Sequence, residues 1–176
     1  GLAQSIARNT TSEIMHFLSG AQPIVDTNEQ LLNLGRIDTD DSPALLSYLE
    51  TQLYAHPNAT WASWGGEDGT FNAVYRFPKG DAVVLRRTAR RQASTADGTP
   101  YSRFVEEELV NGQWTLRPGN HDRPYDPRQR PWYRTAVEAP PGEGRWIDPY
   151  IFTSRMQPGV AFASASYDPS GQLRGV

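Results

Sequence analysis

The sequence contains no cysteine. That removes disulfides, thiol nucleophiles and cysteine-ligated zinc together. No apolar run approaches the ~20 residues that a bilayer-spanning helix needs. Gly1 to Gly20 has neither a basic start nor a continuous apolar stretch, so no signal peptide is recognisable. The first residue is Gly rather than Met, which suggests a piece cut from a longer protein. Histidine is scarce: His16, His56 and His121 are scattered, and none stands at metal-ligand spacing. No glycine-rich phosphate cradle follows a strand, and no serine sits in a nucleophile elbow. The formal charge of -3 gives no net pull toward nucleic acid or anionic lipid. The expectation is a chain with no catalytic residue, no metal and no cofactor, which is not an enzyme.

What is present points to one packed unit. Hydrophobic residues make up 38% and charged residues 21%, enough for a single core. Aromatics reach 11%, with five Trp and eight Tyr, and such rings line pockets as well as cores. Arg86, Arg87, Arg90 and Arg91 crowd together. On a strand, neighbours point to opposite faces, so they form no single basic surface and read as a solvated strand end. Glu106-Glu107-Glu108 reads in the same way as a solvated edge.

Periodicity divides the chain. Residues 2–35 read as helix, with a kink or break expected near Gly20 and Pro23. Ser42 is expected as the N-cap of a second helix, with Pro43 at its first position, a Leu45, Leu49 and Leu53 stripe, and Pro57 as its end. From Thr60 the period becomes two. Trp61 to Trp64, Phe71 to Phe77, Ala82 to Thr88, Phe104 to Val110 and Gln113 to Leu116 read as strands. Asn111-Gly112 predicts a two-residue hairpin turn that sets Leu109 opposite Trp114. Residues 117–131 read as loop, followed by a short helix from Trp132 to Glu138. Trp146 to Phe152 and Val160 to Tyr167 follow as strands, with a last one opening at Gln172. This order is an α+β layout.

One segment is distinctive: Tyr125-Asp126-Pro127-Arg128-Gln129-Arg130-Pro131-Trp132-Tyr133, followed by Arg134-Thr135-Ala136. It resembles the signature of double Cache sensor domains. Trp146-Ile147-Asp148-Pro149-Tyr150 is similar to that family's next pocket strand, and Asp168 to Val176 to its closing element. The resemblance implies a long N-terminal helix (1–36) and a membrane-distal, PAS-like module with a five-stranded antiparallel sheet (37–176). It places that module outside the cytoplasmic membrane, in a receptor anchored there and dimeric through the helix. The output is a cyclase, histidine kinase or chemoreceptor. Tyr150-Ile151-Phe152 and Met156-Gln157-Pro158-Gly159 resemble sensors of the cyclase class most closely.

The residues also carry a chemical reading. Arg130 offers a rigid fork that matches a carboxylate. Pro131 fixes φ and opens a helix whose free N–H groups favour an anion. Tyr125, Trp132, Tyr133 and Tyr150 surround it, with Asp148 at the margin. Taken alone, a Trp-Tyr pair at a helix start also packs a core, and Arg130 can pair with Asp126 or Asp148. Arg128 is expected to pin the loop to a nearby carboxylate. Amino-acid-binding members of the family carry an acidic residue two places after the last tyrosine, where this chain has Phe152. A small-molecule ligand with a carboxylate and no amine therefore fits at least as well. A spacer, dimerisation or partner-protein-binding module is the alternative.

Overall fold

The computed structural model describes residues 18–94, 96–98, 100–119, 125–152 and 157–176. The first half of the expected N-terminal helix and His121 lie outside them. Helical backbone at Leu18 and Ser19 is interrupted by a turn at Gly20, where the break was expected, and resumes as α1 (Ala21–Asn33). Pro23 falls in the first turn of α1, where its missing N–H costs no intrahelical bond. Gly35, at φ 65°, closes α1: its N–H donates to Leu32 O and that of Arg36 to Leu31 O, at 3.0 and 2.9 Å. Those two bonds satisfy carbonyls that the helix leaves unpaired.

α2 (Ser42–Ala55) is capped one residue earlier than expected. Asp41 is the N-cap, accepting the Ala44 N–H at 3.0 Å. Ser42 is instead buried in the first turn and donates to Asn72 Oδ1. Leu45, Leu49 and Leu53 form the buried stripe, and the helix stops at His56, the residue that Pro57 biases toward extended backbone.

Five strands follow: β1 (Trp61–Gly65), β2 (Phe71–Lys79), β3 (Ala82–Ser94), β4 (Pro100–Val110) and β5 (Gln113–Leu116). They pair antiparallel in chain order, so the fold is α+β, as the alternation indicated. Asn111 and Gly112 take φ 51° and 77° in the β4–β5 turn, and Leu109 stands opposite Trp114. Phe71 to Tyr75 are all buried, because the sheet is covered on both faces. One face holds Trp64, Val74, Leu85 and Ala89 against the α2 leucines and Leu32. The other holds Phe71, Ala73 and Phe104 against Trp132, Tyr133, Ile147 and Ala163.

A 3-10 turn (Pro127–Gln129) and α3 (Pro131–Val137) cover that second face. β6 (Arg145–Phe152) pairs with β7 (Gln157–Ala163), and β8 (Ser166–Tyr167) with β9 (Leu173–Gly175). The strand expected over Val160 to Tyr167 therefore divides after Ala163. Val176 and Gly65 exchange backbone hydrogen bonds of 2.9 Å, so the C-terminal segment pairs on the outer edge of β1.

Two expectations need correction. Arg86 is not at a solvated strand end but buried: its Nε lies 3.0 Å from Oε2 of the equally buried Glu108, and its guanidinium lies 3.4 Å from the Phe77 ring centre. Arg87 pairs with Glu107 at 2.6 Å and stacks on Trp114. Glu106 accepts from both Tyr75 and Arg117, so the acidic run is no free edge either. The cause is register. Strand pairing sets Arg86 opposite Glu108 and Arg87 opposite Glu107, with β5 covering β4 on its far side. The described part of the N-terminal helix packs on the module. Leu32 joins the core, and Glu29 Oε2 accepts the Ser164 hydroxyl at 2.8 Å. Among the described residues, no helix is long and apolar enough to cross a membrane.

Candidate functional site

Two prolines shape the segment over the second face of the sheet. Asp126 caps the 3-10 turn by accepting the Arg128 N–H at 3.0 Å, and Pro127 starts it. Pro131 starts α3 and holds the preceding Arg130 extended, at φ -83° and ψ 148°. Arg130 is thus the single extended residue between two helical turns, and this is why its side chain leaves the segment at that point. α3 has only seven residues, so the guanidinium rather than the helix start is the strong anion-binding element here.

A cavity of about 690 Å³ opens beside this segment, between α1, α2, the β1 side of the sheet and the β6–β7 pair. Tyr125, Arg130, Trp132 and Tyr150 all line it. The Arg130 guanidinium carbon lies 5.9 Å from the Tyr125 ring centre. Among the described residues, Arg130 has no carboxylate partner within salt-bridge range. Asp126 is taken by Arg128, which grips both of its oxygens at 2.9 Å and donates to Glu67 O at 3.1 Å. That pairing pins the loop, as expected of Arg128. Burial pushes the Tyr125 phenol up to about 12, against opposing pulls from Arg130 and from the Trp132 N–H. Burial raises Tyr150 as well, with Tyr125 adding to it and Arg130 opposing. Both phenols are therefore neutral donors at neutral pH, set around one cation.

Two of the expected residues are not brought to the cavity wall. Tyr133 is buried beneath the β1 end, its ring 3.4 Å from the position of a Cβ on Gly65, and its hydroxyl has no hydrogen-bond partner among the described residues. Asp148 is exposed. It would have pointed with Tyr150 only on a regular strand, and the β6–β7 register shifts between Ile147 and Tyr150.

Other lining residues were not singled out from the sequence. Trp61 stacks on Tyr75 with centroids 4.4 Å apart and on Phe152 at 6.1 Å. Phe152 meets Tyr150 edge-on at 4.8 Å. The Ser63 and Thr88 side chains flank Ala73 on one cross-strand rung of the same face. The alternation in β1, β2 and β3 places Trp61, Ser63, Tyr75 and Thr88 on a face of their strands, but only strand pairing shows that the faces coincide.

No family model matches the chain, and neither a curated protein nor a solved structure matches it. The site is therefore read from its own chemistry. Among the described residues, no group of three His, Cys, Asp or Glu side chains is placed to hold a metal ion. The arrangement offers one guanidinium without a carboxylate partner among the described residues, two neutral phenols and an aromatic wall. Such a site can bind an organic anion and orient it.

Proposed function

We infer that this domain is the ligand-sensing module of a membrane-anchored signalling receptor, binding a small carboxylate-bearing molecule in the cavity. The observation that carries the binding reading is Arg130. It lines a partly buried, aromatic-walled cavity without a carboxylate partner among the described residues, and a half-buried guanidinium favours an anionic partner. Tyr125 and Tyr150 supply further donors, while Trp132 closes the wall. The reading assigns binding rather than catalysis to the cavity. The resemblance to double Cache sensors supports the setting: an extracytoplasmic module, paired with a second copy in the full-length receptor, with a cyclase, histidine kinase or chemoreceptor as output.

The test is a thermal-shift screen of acids, amino acids, amines and purines, followed by calorimetry on the hits. A ligand at a hundredfold excess over its dissociation constant adds about 2.7 kcal/mol to stability, which such a screen detects. Because a hydrogen bond to a charged group is worth about 1.5–3 kcal/mol, Arg130→Ala should weaken binding roughly tenfold to a hundredfold or more. Arg130→Lys should restore little, because a point charge does not reproduce the fork. Equal affinity for the wild type and a folded Arg130→Ala variant would make Arg130 structural. A screen without any hit would favour a spacer or partner-binding module.

A further inference from the structure

We propose that the ligand of this cavity is an aromatic carboxylate without an ammonium group. The inference rests on the carboxylate reading of Arg130 and adds the chemistry of the ligand's other end. From Tyr75 through Trp61 and Phe152 to Tyr150, the rings form a continuous run beside the Arg130 end of the cavity. Phe71 on β2 meets Tyr125 and Trp132 from the covering segment, with ring centres 4.9 and 6.2 Å away, and the three form a second run. Ring faces and edges of this kind hold a flat apolar body by stacking and burial.

An ammonium finds little there. Among the described residues, two carboxylates reach the lining, Glu29 and Asp126. Asp126 gives both oxygens to Arg128. Glu29 belongs to α1, which contributes no ring, and it already accepts the Ser164 hydroxyl. At Phe152, the ring packs against Gly159, where a Cβ would stand 2.2 Å from it. That position is committed to an aromatic surface. An ammonium moved from water to this wall loses hydration and gains no carboxylate partner, whereas a bare ring loses nothing polar.

The experiment measures calorimetric affinities of the full chain for four matched probes. 3-Phenylpropionate and indole-3-propionate are set against L-phenylalanine and L-tryptophan, which share their skeletons and add only the α-ammonium group. 3-Phenylpropionamide and butyrate complete the panel. At least one of the two aromatic acids should bind about tenfold or more tightly than its amino acid, and more tightly than butyrate. Phe152→Asp should narrow or reverse the preference over the amino acid, and the wild-type comparison stands whether or not that variant folds. Amino acids binding as well as their deaminated partners would overturn the proposal while leaving the carboxylate reading intact. Loss of that amino-acid binding in Glu29→Gln would then assign the ammonium to α1. Butyrate binding as well as the aromatic acids would also overturn it. The amide binding as well as 3-phenylpropionate would instead sink the carboxylate reading on which the proposal rests. Absence of binding by every probe would reject the proposal.

Discussion

Gly65 lies directly beneath Trp132, where an added Cβ would stand 2.7 Å from the far edge of the indole and 3.0 Å from Pro127 Cβ. Gly65 is also the residue that exchanges hydrogen bonds with Val176, so its backbone cannot easily retreat. The close approach of β1 to α3 thus sets the depth at which Trp132 stands in the cavity wall. Gly65→Ala should destabilise the domain by about 1–3 kcal/mol, the usual cost of overpacking. It should also weaken ligand binding, since Trp132 must move. Urea denaturation and calorimetry on the same variant check both parts. A variant of unchanged stability would mean that α3 shifts freely over the sheet.

The ion pairs differ sharply in expected weight. Arg86 and Glu108 side chains are 7% and 8% exposed, whereas those of Arg145 and Glu143 are 48% and 54% exposed. Glu108→Ala leaves a buried guanidinium without its partner and should cost about 3–5 kcal/mol. Arg145→Ala should stay within about 1 kcal/mol of the wild type. Chemical denaturation of the two variants side by side distinguishes them, and similar losses would contradict the burial argument.

Acid should weaken the fold through the same groups. Hydrogen bonds from Lys79 and then Arg86 hold Glu108 below its ordinary range, and the Arg128 hydrogen bond does the same for Asp126. A carboxyl whose folded pKa is depressed contributes stability in full above its unfolded value, about 4. As pH falls below that value the unfolded chain takes up protons first, and the contribution disappears as pH passes through the folded pKa. Melting temperature should therefore be flat from pH 7 to about 5 and fall steeply below 4. Glu108→Gln should start lower and fall less steeply, and an unchanged slope would remove Glu108 from the account.

Much of this fold follows from local chemistry that needs no neighbour. The Leu45, Leu49 and Leu53 stripe, the Asn111-Gly112 turn and the period-two strands each encode their own geometry, so helix, hairpin and α+β class were readable directly. Around Arg130 the same held: the flanking prolines fix the backbone, and Tyr125, Arg130, Trp132 and Tyr150 do line one cavity. What the sequence left open depends on pairing between distant segments. Arg86 is buried because β4 places Glu108 opposite it across the ladder, 22 residues away. Asp148 is turned away from the cavity where the register shifts between Ile147 and Tyr150, and Tyr133 lies under Gly65 instead. Trp61, Tyr75 and Phe152 become one wall only when β6 folds back over β1. Period and propensity are properties of neighbouring residues, and they determined the elements and the chemistry of the loop. Burial and partnership are properties of surfaces that meet, and only the tertiary structure decided which charges are paired and which rings enclose the cavity.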